Sequence, residues 1–208
     1  MAGVAVDDCH ADLVYGLIRS HKPQNILELG VGSGRTTREI LKAVAANEEG
    51  GDLHPKYKKA SLTLVDNWVD WQHKKPDFVK EFDGKLTLVE KPERDFVFDC
   101  RERYDFIFSD ADHWNTDKWF DYVYDRLLEN NGVLMYHDVS TQNPLPDNDL
   151  RFHNLESILV KCKTRGISHF HMDRCSTKGE RCYRGLLAIF KGQLPTTHVH
   201  QGQIVVSL

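Results

Sequence analysis

The chain has 208 residues, a formal net charge of -4, 40% hydrophobic residues and 28% charged ones. That length suits one domain with a substantial core and is short for two of ordinary size, and the composition excludes a disordered polymer. The slightly acidic balance speaks against a protein that grips a phosphate backbone, so nucleic acid is not an expected partner.

No apolar run approaches the roughly 20 residues needed to cross a bilayer, so no membrane partner is expected. Asp7 and Asp8 stand where a secretory leader would be basic and then apolar, which favours a cytoplasmic location. The 5 cysteines (Cys9, Cys100, Cys162, Cys175, Cys182) are odd in number and form no C-x-x-C pair. Free thiols in a reducing compartment fit this better than a disulfide framework.

Taken in chain order, Leu13, Leu17 and Ile18 mark an amphipathic helix before a first apolar run, Asn25–Leu29. A glycine-rich stretch follows, then a helix whose apolar positions are Thr37, Ile40, Leu41 and Val44. Asn47–Lys59 is polar with paired glycines and a proline, and reads as a loop. Strands are expected at Ser61–Val65, Lys85–Val89 and Tyr104–Ser109, then a helix over Trp119–Leu128 and a strand at Gly132–His137. Ser140–Asp149 carries two prolines and reads as a second loop. A late helix (Leu155, Ile158, Leu159, Cys162) leads to strands Ile167–Met172 and Gly185–Phe190. Continuous apolar strands alternating with helices predict a mostly parallel sheet wound on both faces. The expected layout is an N-terminal helix at about 8–20, a core at about 25–190 and a tail at 191–208.

The sharpest motif is Glu28-Leu29-Gly30-Val31-Gly32-Ser33-Gly34, between a strand and a helix. Gly30 permits a tight turn, Gly32 a close approach of backbone to ligand, and Gly34 close packing at the helix start. The spacing is G-x-G-x-G. It is neither the G-x-G-x-x-G of dinucleotide binders nor a phosphate loop ending in G-K-[ST], which disfavours a nicotinamide-linked dehydrogenase.

The segment resembles motif I of class I S-adenosylmethionine-dependent methyltransferases. The resemblance implies a Rossmann-like α/β fold, with a seven-stranded sheet whose last strand runs antiparallel. It also implies that Glu28, Gly30, Gly32, Ser33 and Gly34 line S-adenosylmethionine, with Glu28 toward its methionine end. Asp66, ending the next strand, is placed to accept the ribose hydroxyls, with Asn67 and Trp68 beside the adenine or ribose. Glu90 is a looser candidate near the adenine.

Methyl transfer to a hydroxyl needs alignment and removal of a proton, hence a base or a metal. Asp110-Ala111-Asp112-His113-Trp114-Asn115 is similar to the D-A-D-K-x-N run of catechol and caffeoyl-CoA-type O-methyltransferases. In those enzymes its first aspartate binds a divalent cation. Their second ligand pair, Asp-Asn, is His137-Asp138 here, and His113 replaces their lysine. The resemblance makes Asp110, His137 and Asp138 metal ligands, for Mg2+ or another divalent ion, with Asp110 also bordering the cofactor. A metal-free site also fits, with His137 or His113 as general base, as in sugar O-methyltransferases.

The expected function is therefore methylation of a small-molecule hydroxyl, with homo-oligomerisation left open. Two alternatives stand beside it: a metal-dependent oxygenase or hydroxylase on the same fold, and a non-catalytic cofactor-binding module. His169, His171, Cys175 and Cys182 form a weaker cluster conceivable as a zinc site, and His198 and His200 read as tail.

Overall fold

The strongest apolar runs become the centre of the sheet. β1 (Asn25–Leu29), β2 (Ser61–Asp66) and β4 (Tyr104–Ser109) are buried along almost their whole length, as strands covered on both faces must be. β3 (Lys85–Glu90), β5 (Leu128–His137), β6 (Ser168–Met172) and β7 (Leu186–Phe190) complete a seven-stranded sheet in the order β3-β2-β1-β4-β5-β7-β6. β7 runs antiparallel to both β5 and β6, while the remaining pairings are parallel. The antiparallel last strand inserted beside the sixth is the arrangement the sequence resemblance implied. This computed structural model describes residues 8–49, 59–69, 85–139, 150–172, 185–192, 196–200 and 203–207.

Alternation along the strands divides the apolar side chains between two cores. On one face Ile26, Leu62, Leu64, Phe106, Phe108 and Met135 meet α1 (Asp8–His21) and α2 (Arg35–Glu49) through Val14, Ile18, Ile40 and Val44. On the other, Leu27, Leu29, Ile107, Leu134 and Tyr136 meet α4 (Thr116–Tyr122) and α5 (Leu150–Arg165) through Trp119, Phe120, Leu155 and Ile158. α3 (Glu93–Asp99) joins this second layer through Phe96 and Val97.

Several boundaries differ from the sequence reading. Asn47 does not open a loop, because α2 continues to Glu49 and buries Asn47. Its side chain accepts from Arg19 Nη1 at 2.7 Å and donates to the Ile18 carbonyl at 3.0 Å, tying α2 to α1. α3 forms in a stretch to which the sequence reading assigned no element. After α4 the chain makes a π-helical turn over Val123–Leu127 and enters β5 directly, so β5 begins at Leu128 rather than Gly132. The residues read as tail include a hairpin of β8 (Thr196–His200) and β9 (Gln203–Ser207), and His198 and His200 lie on β8. The Ser140–Asp149 loop and most of the Asn47–Lys59 stretch lie outside the described residues. Among the described residues no helix is long and apolar enough to cross a membrane.

From β1 the chain proceeds outward to β2 and β3, then returns to the other side of β1 with β4 and β5. The carboxyl ends of β1 and β4 therefore flank the point where strand order reverses, where open α/β sheets form a ligand crevice.

Candidate active site

The glycine loop leaves β1 through three residues in the left-handed region, Gly30 (φ 84°), Gly32 (φ 51°) and Gly34 (φ 77°). Gly30 N–H donates to the Val65 carbonyl at 2.9 Å, and Asp110 N–H donates to the Leu29 carbonyl at 2.8 Å. The turn is thus clamped between the ends of β2 and β4. A Cβ on Gly30 would lie 2.4 Å from the Asp110 carbonyl oxygen, so the residue is required by strand-end packing as well as by its φ.

Beneath the loop, Glu28 is fully buried, and Thr37 Oγ1 donates to its Oε2 at 2.7 Å. Its Oε1 has no hydrogen-bond partner among the described residues. Burial above all, with the charges of Asp110 and Asp66 adding to it, pushes the carboxyl from 4.5 up to about 8 against the Thr37 hydrogen bond. Burial thus favours the neutral form of the Glu28 carboxyl at pH 7.

Asp66 at the end of β2 clasps the glycine loop. Its Oδ2 accepts from Val31 N–H and Gly32 N–H, both at 2.8 Å, and its Oδ1 accepts from Trp68 N–H at 2.6 Å. Asn67 Oδ1 accepts from Val69 N–H at 3.2 Å. Trp68 sits at φ 50° with its side chain buried in the α1–α2 core. Ser33 is exposed at the loop's tip, and Glu90 is exposed at the end of β3.

The catalytic candidates from β4 and β5 do converge. Asp110, His137 and Asp138 each present a ligand atom, and these atoms all lie within 4.8 Å of one another. His137 Nδ1 is 2.9 Å from Asp110 Oδ1 and 3.7 Å from Asp138 Oδ1. His113 Nε2 stands between the two carboxylates, 3.8 Å from Asp110 Oδ1 and 3.7 Å from Asp138 Oδ2. Asp138 sits at φ 58°, a conformation that costs energy for a non-glycine residue and is concentrated at functional sites.

Three contributors were not legible as site residues. Glu93, the first residue of α3, is buried behind the Asp110 loop. Its Oε1 accepts from Ser109 Oγ at 2.9 Å and its Oε2 from Asp112 N–H at 2.8 Å. Burial raises its carboxyl to about 7, despite those hydrogen bonds. Asn154 of α5 anchors the loop from the opposite side, its Nδ2 donating to the His113 carbonyl. The third contributor is His10, fully buried on α1, whose Nδ1 lies 3.1 Å from His137 Nε2. Its only sequence signal is its spacing of 4 and 8 residues from Val14 and Ile18 on the buried stripe of the helix.

The weaker cluster has a different local arrangement. His171 Nε2 donates to the Val139 carbonyl at 2.8 Å, and His169 Nδ1 lies 3.0 Å from the Ile167 carbonyl. Cys175 and Cys182 lie outside the described residues.

Residues 27–139, which span the glycine loop, Asp66 and the Asp110–Asp138 cluster, match the methyltransferase-domain family. The chain belongs to that family. No curated protein matches this methyltransferase in sequence. Among solved structures it is similar to an O-methyltransferase from Bacillus cereus in complex with S-adenosylhomocysteine, at 15% identity and a TM-score of 0.68, covering 91% of this chain and 84% of that one. It is also similar to the O-methyltransferase TomG from Streptomyces achromogenes in complex with S-adenosylmethionine, at 15% identity, a TM-score of 0.69, and 92% and 84% coverage. A precorrin-6y C5,15-methyltransferase from Geobacter metallireducens shares the fold at 14% identity and a TM-score of 0.58, covering 92% of each chain. The family and the fold are those of class I methyltransferases. Since the precorrin enzyme is described by methylation at C5 and C15, the acceptor atom does not follow from the fold and has to be argued from the site.

Proposed function

We propose that this methyltransferase moves the methyl group of S-adenosylmethionine to a hydroxyl of a small molecule, with a divalent cation gathered by Asp110, His137 and Asp138. The observation that carries the reading is the convergence of those three donors beside the glycine loop, with the Asp110 backbone in contact with Gly30. The Bacillus cereus and Streptomyces achromogenes structures, described as O-methyltransferases with the cofactor or its product bound, support the cofactor and the transfer to oxygen.

The donor set suits such an ion. Two carboxylates and one imidazole favour Mg2+ or Mn2+ with water completing the shell, and differ from the two-imidazole, one-carboxylate set of ferrous oxygenases. When bound, the cation supplies Lewis acidity that lowers the pKa of a hydroxyl beside it. The residues of the chain do the rest. The glycine loop would cradle the cofactor, and Glu28 would hold its ammonium group in the charged form of the carboxyl. Asp66 is positioned to exchange its contacts with the loop N–H groups for the ribose hydroxyls. In the transfer itself the acceptor oxygen forms a bond to the methyl carbon as the sulfonium S–C bond breaks, and the hydroxyl proton passes to His113 Nε2 at the rim of the cluster.

One observation favours a metal-free variant of the reaction. His113 Nε2 is nearly equidistant from Asp110 and Asp138, so both carboxylates would stabilise the cation it becomes on taking the hydroxyl proton. Calorimetric titration with S-adenosylmethionine and with Mn2+, before and after EDTA, separates the cases. We expect saturable one-site binding of each, with Asp110→Asn and Asp138→Asn abolishing Mn2+ binding and leaving cofactor affinity within about threefold. Absence of cofactor binding refutes the methyltransferase reading. Cofactor binding without Mn2+ binding selects the metal-free variant.

A further inference from the structure

We infer that His10 of α1 is a positioning residue for the cation site, setting which nitrogen of His137 faces the cluster. The inference rests on the cation reading above. α1 spans Asp8–His21 and lies wholly outside residues 27–139 of the family match, so this contact is supplied by a segment beyond the matched core.

His10 Nδ1, His137 Nε2, His137 Nδ1 and Asp110 Oδ1 form a continuous chain with contacts of 3.1 Å and 2.9 Å. The two rings meet edge-on, with centroids 5.1 Å apart and planes inclined at 77°. His10 is fully buried and the His137 side chain is only 1% exposed, so solvent cannot readily replace either partner. A neutral imidazole carries one N–H, and the atom at the far end of each contact fixes where it sits.

With both imidazoles neutral the protons of this chain have two arrangements, of which only the first satisfies both contacts without a cation. In the first, His137 Nδ1–H donates to Asp110 and His10 Nδ1–H donates to His137 Nε2. In the second, His137 Nε2–H donates to His10 Nδ1, which leaves the His137 Nδ1 lone pair facing the Asp110 and Asp138 oxygens. Only the second offers Nδ1 as a ligand atom, and without a cation it sets that lone pair 2.9 Å from a carboxylate oxygen. Cation binding therefore selects the second arrangement. Both rings change tautomer together and neither changes its charge. His10 is the acceptor that makes this arrangement favourable, the part an outer hydrogen-bond partner plays for a metal-binding histidine.

The test measures Mn2+ affinity by calorimetry for the wild-type protein, His10→Asn and His10→Leu, and uses S-adenosylmethionine affinity as the control for an intact fold. Asn keeps an acceptor close to the position of Nδ1, whereas Leu keeps apolar volume and removes the acceptor. We expect His10→Leu to weaken Mn2+ binding about 10- to 100-fold, the range for loss of such a partner. His10→Asn should stay within about threefold of wild type. Equal Mn2+ affinity in wild type and His10→Leu, or equal losses in both variants, overturns the positioning role. A wild-type protein that binds no Mn2+ overturns the cation reading and this inference with it. Should His10→Leu fail to fold, nitrogen NMR of the wild-type imidazoles during Mg2+ titration decides. A concerted tautomer change of His10 and His137 in one saturable step supports the inference, and a His10 ring that does not respond refutes it.

Discussion

Replacing Gly30 with alanine tests whether the glycine loop and the acidic cluster are one mechanical unit. The added Cβ would lie 2.4 Å from the Asp110 carbonyl oxygen, 2.5 Å from its carbon and 2.7 Å from Ala111 N. All three are backbone atoms, so no rotamer change can relieve the contact. Holding an alanine at φ 84° adds about 1–2 kcal/mol of conformational strain, and forced overpacking adds typically about 1–3 kcal/mol. The summed loss of about 2–5 kcal/mol, with a urea slope of about 2–3 kcal/mol per molar, lowers the unfolding midpoint by about 0.7–2.5 M. Because the strain is relieved mainly by moving the Asp110 segment, Mn2+ affinity should fall together with stability. Urea unfolding followed by circular dichroism, paired with Mn2+ calorimetry, measures both. A midpoint within about 0.3 M of wild type would show that the contact relaxes at little cost. A destabilised protein with unchanged Mn2+ affinity would break the proposed link between loop and cluster.

Two more outcomes follow from the buried groups. Glu28 has its pKa raised from 4.5 to about 8, so its stabilising contribution is complete below pH 4.5 and is lost as pH rises through 8. Wild-type stability should therefore fall across that window, and Glu28→Gln should flatten the fall; identical urea midpoints for the two proteins at pH 5 and at pH 8.5 would contradict the burial argument. Lys191, just past β7, donates from Nζ to the Tyr124 and Leu128 carbonyls, each at 2.7 Å, where the π-helical turn meets β5. Lys191→Met should lower stability by about 1–3 kcal/mol by removing the lysine donor from the Tyr124 carbonyl and leaving the Leu128 carbonyl only Arg103 Nη1 at 3.2 Å, and an unchanged thermal midpoint would show that water replaces the lysine.

The sequence determined the strands and the cofactor motif because their information is local. β1 and β4 have the bounds their apolar runs predict, since a strand buried on both faces announces itself by continuous hydrophobicity. The three glycines announce a tight turn at the end of β1, and all three take positive φ there. Asp110, His137 and Asp138 could be named from the motifs at two strand ends, but nothing in the sequence stated that they lie within 4.8 Å of one another.

Tertiary structure decided the rest. α3, to which the sequence reading assigned no element, begins directly after Pro92, where Glu93 meets Ser109 at the end of β4 and the Asp112 N–H just beyond it. Asn47 is polar enough to read as loop, but the Ile18 carbonyl and Arg19 satisfy it inside the core. His10 meets His137 across 127 residues of chain, a contact that exists only once α1 has packed over the carboxyl end of the sheet. A polar residue's place is set by the partner it finds, and in each of these cases the partner lies on an element far away in sequence, so the fold had to form before the site was complete.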